Sequence, residues 1–287
     1  MLKEIVQANA KINIGLNVIG QLDNGYHILD MIMAPINLCD RLEISISDKS
    51  GTLKINTNIH DIPTDHRNIL YKIYEAFYRK SALEPRDITV FLEKKIPHEA
   101  GLGGGSSDGA AFLKTLNKYH QDFFPKETLS EIGLKIGADI PFFIENTCAR
   151  AGGIGEVLTP VENNLSCKII IVKPDFGVST KTAYKNLTAL AFRRDADIAS
   201  VIEGLRENSA EKVIHSVENH LEQALLITDS KIATLKKTLE EWKDYRFFMS
   251  GSGSAYFALV SENTTEEQLQ RLRNMLMNCE VFLCSFL

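Results

Sequence analysis

The sequence predicts an α+β protein of two domains, and three observations point to that class. From Ile5 to about Thr159, short strand patterns are mixed with helical patterns. Residues 160–166 are polar and rich in turn formers, which indicates a boundary. The part that follows is helix-rich and ends in the order strand, turn, strand, helix, strand, which favours helices packed on one face of an antiparallel sheet. We therefore expect domains at 1–159 and 160–287.

In the first domain, apolar alternation predicts strands at Lys11–Val18 and Leu42–Ser47. Helical spacing of apolar residues predicts a helix over Asn68–Lys80. A strand pattern begins at Ile88, and a helical repeat runs from Ala110 to Leu116. A glycine-rich run separates these last two elements.

In the second domain, Lys168–Val172 has the composition of a buried strand that Pro174 ends. Residues 182–242 are predicted to be mainly helical. The remaining predicted elements are strands at Tyr245–Met249 and Ala255–Val260, a helix at Thr265–Asn278 and a strand at Cys279–Phe286.

The glycine-rich run Gly101-Leu102-Gly103-Gly104-Gly105-Ser106-Ser107-Asp108 is the most informative segment. A strand, a glycine loop and a helix in this order bring unpaired amide N–H groups and the positive end of a helix dipole to one point, where phosphate oxygens are stabilised. A flexible linker would lack the flanking regular structure. We expect a side chain at Gly104 to block the phosphates or to conflict with backbone angles reserved for glycine.

Several other motifs do not fit this region. A Walker loop needs lysine after Gly105, and the dinucleotide fingerprint needs glycine at Ser106. A zinc-protease helix that starts at His98 needs a second histidine where Leu102 stands. The serines also lack the flanking glycines of a hydrolase nucleophile elbow.

Composition narrows the possible partners and location. The formal charge of -5 provides no field that would attract a polyanion, so we expect no nucleic-acid partner. No apolar stretch reaches the roughly 18 residues of a membrane span, and the N-terminus lacks a signal-peptide pattern. The sequence therefore predicts a cytoplasmic protein without a membrane partner.

Four further clusters could carry chemistry, and each also has a purely structural explanation. Lys11 and Asn13 share one face of a strand, although a lysine there is usually solvated surface. Tyr26 and His27 follow an Asn-Gly turn, which does not itself need such a pair. Asp139 lies between small and apolar residues, where a helix cap is the simpler explanation. The run of alternating serine and glycine at 250–254 would by itself be a hairpin loop.

Taken together, these motifs resemble the GHMP small-molecule kinases. The resemblance spans Lys11 to Ser254 and includes Ala-Lys-Ile-Asn, Asp-Asn-Gly-Tyr-His, the glycine run, Gly-Ala-Asp-Ile-Pro-Phe-Phe, Gly-Glu and Ser-Gly-Ser-Gly. It implies the two-domain GHMP kinase fold, with an N-terminal domain like domain 2 of ribosomal protein S5 and a ferredoxin-like C-terminal domain. The first domain would bind ATP, and the second would lie on the substrate side.

Gly25-Tyr26-His27 and the Lys-x-Asn strand are similar to the branch that acts on a cytidyl substrate. The resemblance implies ATP-dependent phosphorylation of the 2-hydroxyl of 4-diphosphocytidyl-2-C-methyl-D-erythritol in non-mevalonate isoprenoid precursor biosynthesis. Mg²⁺ would be carried by ATP, with no protein ligand named, and the enzyme would be a monomer or homodimer with small-molecule substrates. Alternatives are a GHMP kinase for another small alcohol, which the Tyr26–His27 pair disfavours, and a catalytically silent ligand-binding relative, which Asp139 and Lys11 disfavour.

The resemblance also implies roles for individual residues. Asp139 would take the proton of the substrate hydroxyl, with Lys11 as the cation beside it. Tyr26 and Tyr184 would sandwich the cytosine. The residues expected to hold ATP are Gly101, Gly103, Gly104, Gly105, Ser106 and Ser107, with Asn68 at the nucleotide base. Besides the two tyrosines, the residues expected to bind the substrate are Asn13, His27, Ile154 and Thr180. The chain departs from the family pattern at Asn9, His98, Glu99, Gly109, Ser254 and Ala255.

Overall fold

The chain begins with two long strands, β1 (Leu2–Gln21) and β2 (His27–Ser50), in a computed structural model that describes residues 2–287. Both strands are longer than their apolar patterns predicted. In β1 the predicted segment Lys11–Val18 is the continuously buried part, whereas residues 2–7 alternate between half-buried and exposed positions. Sequence reasoning therefore found the buried part of β1. In β2 it found only the alternating segment Leu42–Ser47 and missed the continuously buried Met31–Ile36.

Both long strands contribute to two compact units. The first unit consists of the chain up to Ala10, Leu38–Ile96 and Gly103–Asn146, and the second consists of Lys11–Asn37, Pro97–Leu102 and Thr147–Leu287. These units do not follow the expected division at residues 159 and 160, because β1, β2 and the segment 97–102 pass from one unit to the other. That division stays a prediction about domains.

The first unit packs helices on a short sheet. The second half of β2 pairs antiparallel with β4 (Arg86–Glu93), which also pairs in parallel with β3 (Leu53–Thr57). The helix α1 (Ile69–Ser81) begins directly after Asn68, as expected, and buries Ile73 and Phe77. The elements after β2 are β3 (Leu53–Thr57), α1 (Ile69–Ser81), β4 (Arg86–Glu93), α2 (Gly104–Tyr119), α3 (Lys126–Leu134) and α4 (Ile140–Glu145).

In the second unit, the first half of β2 pairs with β5 (Ala149–Gly152), which pairs with β6 (Val157–Pro160). The remaining strands are β7 (Lys168–Pro174), β8 (Phe248–Met249), β9 (Tyr256–Val260) and β10 (Cys279–Ser285). The helices are α5 (Thr180–Lys185), a short 3-10 helix (Asn186–Ala189), α6 (Ile198–Arg206), α7 (Ala210–Ser216), α8 (His220–Thr228), α9 (Ser230–Glu241) and α10 (Glu266–Met275).

The last four strands form an antiparallel sheet in the order β10-β7-β9-β8. This order, with helices between β7 and β8 and between β9 and β10, is the ferredoxin-like topology, so that prediction is confirmed. The predicted strand at Tyr245–Met249 is limited to β8. The carbonyl of Phe247 accepts a hydrogen bond from Lys236 Nζ at 2.7 Å instead of joining the ladder. No helix within residues 2–287 combines the length and apolar character needed to cross a bilayer.

Candidate active site

The second half of the glycine run forms the start of α2 in the first unit. Gly103 occupies the N-cap position with a φ of 73°, and no side chain caps the helix. The first helical bond runs from Ser107 N–H to Gly103 O at 3.0 Å, and within residues 2–287 the three preceding N–H groups have no acceptor. A β-carbon at Gly105 would meet no atom within 4 Å. This end of α2 therefore presents open N–H donors to an approaching anion.

Gly104 does not have the glycine-only backbone angles that the sequence led us to expect. Its φ is not positive, so the backbone does not reserve this position for glycine; positive φ values occur instead at Gly101 (70°) and Gly103. A β-carbon at Gly104 would lie 3.0 Å from Ile96 Cγ2 and 3.3 Å from Lys94 Nζ. The absence of a side chain therefore permits close packing of α2 against the end of the preceding segment.

A buried ion cluster lies beneath this helix start, and sequence reasoning missed it. Lys94 Nζ contacts a carboxylate oxygen of Asp40 and lies 2.7 Å from Asp108 Oδ2. Asp40 Oδ1 also accepts hydrogen bonds from the N–H groups of Lys95 (2.6 Å) and Ile96 (2.8 Å). Burial raises the pKa of Asp108 well above its usual range, although the charge of Lys94 opposes this shift. The cluster therefore joins three parts of the chain, namely β2, α2 and the segment that follows β4.

Asp139 lies in the N-cap position of α4, but its carboxylate makes no capping bond. The helix-cap explanation therefore lacks the hydrogen bond that defines it. A β-carbon at Gly137 would lie 3.3 Å from Ser106 Oγ, and one at Gly109 would lie 3.5 Å from Ile140 Cδ1. The segment that carries Asp139 thus packs against the first turns of α2, inside the same unit.

Asn68 caps α1 and is almost completely buried. Its Oδ1 accepts a hydrogen bond from Leu70 N–H at 2.9 Å, and its Nδ2 donates to Pro63 O at 2.6 Å. The fold itself therefore uses both ends of this amide. The expected contact of Asn68 with a nucleotide base stays a prediction.

In the second unit, Lys11 and Asn13 form a buried polar pair on β1. Lys11 Nζ donates to Asn13 Oδ1 at 2.5 Å and to Gly101 O at 2.7 Å. Gly101 O also accepts from Ser250 Oγ at 3.1 Å, and Ser250 Oγ accepts from Asn13 N–H at 3.3 Å. Lys11 is therefore not the solvated surface residue that an isolated strand lysine usually is.

The serine and glycine run at 250–254 is more than a hairpin connection. A β-carbon at Gly251 would lie 2.9 Å from Asn13 Oδ1 and 3.2 Å from Lys11 Nζ. Asn219 Nδ2, at the start of α8, donates to the carbonyls of Met249 and Gly251, each at 2.9 Å. Sequence reasoning missed Asn219, because only the tertiary fold brings it to this turn.

The aromatic residues of the expected cytosine site are arranged differently from the expected sandwich. The rings of His27 and Tyr184 are stacked, with centroids 4.9 Å apart and planes at 22°. Tyr26 is 58% exposed in the preceding turn. Burial, followed by the positive charge of Arg193, lowers the pKa of His27 from 6.5. One face of Tyr184 is thus covered by a largely neutral imidazole at pH 7, and a Tyr26–Tyr184 sandwich stays a prediction.

The remaining expected substrate residues also lie in the second unit. Thr180 Oγ1 is 3.1 Å from Ser252 Oγ, which joins the start of α5 to the 250–254 turn. Ile154 N–H donates to Glu156 Oε2 at 2.6 Å in the loop between β5 and β6. Neither contact tests the proposed role in substrate binding.

Comparisons with known proteins agree with the sequence resemblance. The family described as GHMP kinases N terminal domain matches residues 68–146, and GHMP kinases C terminal matches residues 190–276. A 4-diphosphocytidyl-2-C-methyl-D-erythritol kinase of Fusobacterium nucleatum is 44% identical over 96% of this chain and 95% of its own. One from Clostridium acetobutylicum is 37% identical over 92% of each chain.

Among solved structures, a crystal structure of 4-(cytidine 5'-diphospho)-2C-methyl-D-erythritol kinase matches with a TM-score of 0.80 and 27% identity. The match covers 98% of this chain and 99% of that one. The predicted two-domain GHMP kinase fold is therefore confirmed. With matches over nearly its full length in both sequence and structure, the chain belongs to the GHMP kinases and, within them, to the 4-diphosphocytidyl-2-C-methyl-D-erythritol kinase family.

Proposed function

We propose that this chain transfers the γ-phosphate of ATP to the 2-hydroxyl of 4-diphosphocytidyl-2-C-methyl-D-erythritol, a step of non-mevalonate isoprenoid precursor biosynthesis. Family membership supports the reaction class, and ATP is the phosphate donor of GHMP kinases. The observation that carries the proposal is the juxtaposition in the first unit of an uncapped helix start with an acid that caps nothing. Open amides can hold phosphates, and an unengaged carboxylate can take a proton.

In this proposal the phosphates of ATP bind at the glycine run. The open N–H groups of Gly104, Gly105 and Ser106 supply hydrogen bonds and the positive end of the α2 dipole. Ser107 lies in the first turn of α2, and Gly101 and Gly103 have a left-handed backbone conformation. We assign all three residues to the same phosphate site. Asn68 is assigned to the nucleotide base.

Asp139 is the proposed general base. It accepts the proton of the substrate hydroxyl as that oxygen attacks the γ-phosphorus, and the bond from this phosphorus to the bridging oxygen of ADP breaks. Lys11 supplies positive charge that stabilises the oxygen during attack. Its hydrogen bonds to Asn13 and Gly101 support this role, because they hold a flexible side chain in one position.

The cytidyl end of the substrate is assigned to the second unit. Tyr26, His27 and Tyr184 supply aromatic and hydrogen-bonding groups, and Asn13, Ile154 and Thr180 complete the proposed set. The His27–Tyr184 stack supports this assignment, because it brings together two planar rings of the kind on which bases stack.

Mg²⁺ enters the proposal as the ion that ATP carries, where it would neutralise phosphate charge. We name no protein ligand for this ion. Within residues 2–287 no group of three or more His, Cys, Asp or Glu side chains is placed to hold a metal. We further propose small-molecule substrates without nucleic-acid or membrane partners, a cytoplasmic location, and a monomer or homodimer. The formal charge of -5 supports the absence of a nucleic-acid partner.

A coupled assay with ATP and the cytidyl substrate tests the proposal. Asp139→Asn should lower kcat by about 10²–10⁴-fold, because the amide cannot accept the proton, while the melting temperature and ATP affinity stay near those of the parent. Asp197→Asn is the matched control. Asp197 caps α6 through Ser200 N–H at 3.0 Å, so this variant should retain activity.

The possible results separate the alternatives. Turnover of homoserine, mevalonate or another small alcohol, but not of the cytidyl compound, would make the chain a GHMP kinase of different specificity. Binding without turnover of any alcohol would make it a silent relative. Parent-like activity of Asp139→Asn would remove Asp139 from the chemistry.

A further inference from the structure

The segment 190–196, between the 3-10 helix and α6, is an exposed loop that buried polar residues hold in place; we call it the arginine loop. Phe192 in this loop is 79% exposed. Asn17 on β1 is 6% exposed, accepts a hydrogen bond from Ala196 N–H at 2.8 Å, and donates to Ala196 O at 2.9 Å. A reciprocal pair of this kind fixes the end of the loop to β1.

A second buried residue holds the same loop. His220 at the start of α8 is 2% exposed, and its Nδ1 accepts a hydrogen bond from Val18 N–H at 3.0 Å. Its Nε2 lies 2.8 Å from Asp195 Oδ1. Burying a polar side chain is unfavourable unless its donors and acceptors are hydrogen-bonded. Because Asn17 and His220 are both buried and both bonded at the arginine loop, we infer that they hold this exposed loop in one position.

Arg193 is half-buried although its neighbours Phe192 and Arg194 are exposed. Its Nη1 donates to Val18 O at 3.3 Å, three residues before β1 ends in the turn that leads to Tyr26 and His27. The remaining N–H groups of this guanidinium make no hydrogen bond within the described part of the chain. The positive charge of Arg193 is close enough to His27 to lower the pKa of that imidazole.

We propose that Arg193 binds the diphosphate of the cytidyl substrate and so distinguishes a nucleoside diphosphate from a free nucleoside. This inference rests on the proposed function, which places the cytosine at the His27–Tyr184 stack. The diphosphate is joined to the nucleoside and carries negative charge, so it needs a cationic partner near that stack. A guanidinium with free donors suits phosphate oxygens, with which it forms paired hydrogen bonds.

Isothermal titration with cytidine and with CDP tests this assignment, with the non-hydrolysable analogue AMPPNP present at saturation to fill the ATP site. Arg193→Met should weaken CDP binding by about tenfold or more and leave cytidine binding unchanged, since only CDP carries the diphosphate. Arg193→Lys should retain part of the CDP affinity. Arg194→Met is the matched control, because the Arg194 side chain is exposed and lies 3.7 Å from Glu218.

A second readout reports on the charge itself. In Arg193→Met the pKa of His27, followed by NMR titration, should rise, since a nearby positive charge no longer opposes protonation. The same titration of Arg194→Met should reproduce the parent value.

The outcomes separate this inference from the proposed function. Parent protein that binds neither cytidine nor CDP would overturn both. If the parent protein binds both ligands and Arg193→Met binds CDP as tightly as the parent does, only the role of Arg193 would be overturned, and the proposed function would stand. An equal loss of cytidine and CDP affinity in Arg193→Met would also overturn it, because Arg193 would then act only as a structural support of the loop.

Discussion

Two segments of this chain, Gly103–Ser107 and Ser250–Ser254, have nearly the same glycine and serine composition but use their polar groups differently. In the first, three N–H groups at the start of α2 have no acceptor within residues 2–287. In the second, every residue is buried, Ser254 Oγ donates to Phe176 O at 2.6 Å, and Asn219 holds the carbonyl of Gly251. Composition alone therefore does not identify a phosphate site. What distinguishes the two segments is whether their polar groups are hydrogen-bonded within the fold.

The two segments are also supported differently. Gly104 packs over the ammonium of Lys94, which joins Asp40 and Asp108 in a buried ion cluster. The 250–254 turn is supported by neutral hydrogen bonds. Variants that remove one of these interactions at a time test two interpretations. The first is that Gly103–Ser107 binds phosphate and is held in place by the ion cluster, and the second is that Ser250–Ser254 is a structural turn.

The largest effect is expected from Lys94→Met. Removing the cation leaves the carboxylates of Asp40 and Asp108 buried together, so the free energy of unfolding should fall by about 3–5 kcal/mol. Urea denaturation measures this loss. A variant as stable as the parent would show that the cluster does not hold the start of α2.

Asp108→Asn is the control for the cluster. Because burial raises the pKa of Asp108, its proton is bound more tightly in the folded chain than in the unfolded one. This contribution to stability is complete below the unfolded pKa and declines as pH rises above it. Asp108→Asn should therefore cost less stability than Lys94→Met and should flatten this part of the pH dependence.

The next effect concerns Gly105. A methyl group there meets no protein atom, so Gly105→Ala should fold normally, but it would occupy the space that a phosphate needs. We expect ATP affinity to fall by about tenfold or more, measured by calorimetry, which corresponds to about 1.4 kcal/mol. Gly109→Ala, one turn further along α2, would make ordinary contacts of 3.4–3.5 Å and should bind ATP like the parent.

The smallest effect is expected in the second segment. Ser254→Ala removes the donor to Phe176 O and should lower the free energy of unfolding by about 1–2 kcal/mol. ATP affinity should not change, since this hydroxyl is bonded within the fold. A variant with parent stability and weakened ATP binding would reverse the roles assigned to the two segments.

Much of this fold could be predicted from the sequence, because local patterns determine it. The helix α1 follows its apolar spacing and begins after Asn68, and the β7 strand follows its run of branched residues. The exposed ends of β1 and the short β8 were mispredicted. Their extents depend on pairing partners and on a side chain, Lys236, that local sequence does not reveal.

The site was predictable only where its residues are close in sequence. The glycine run and the Lys11–Asn13 pair could be found by local spacing. The Asp40–Lys94–Asp108 cluster, Asn219 and the arginine loop could not, because each depends on contacts between distant segments. The expectation that Gly104 needs backbone angles reserved for glycine was also wrong. Packing against Ile96, which the local sequence does not reveal, limits the space for a side chain at this position.

A backbone amide NMR titration of the full chain with AMPPNP tests whether the start of α2 binds phosphate. We expect the amide resonances of Gly104, Gly105 and Ser106 to shift strongly and to saturate with the nucleotide, because their open N–H groups acquire phosphate acceptors. The amides of Gly251 and Gly253 should shift much less. Saturating shifts at Gly251 and Gly253, with the resonances of Gly104, Gly105 and Ser106 unchanged, would show that the start of α2 is not the phosphate site.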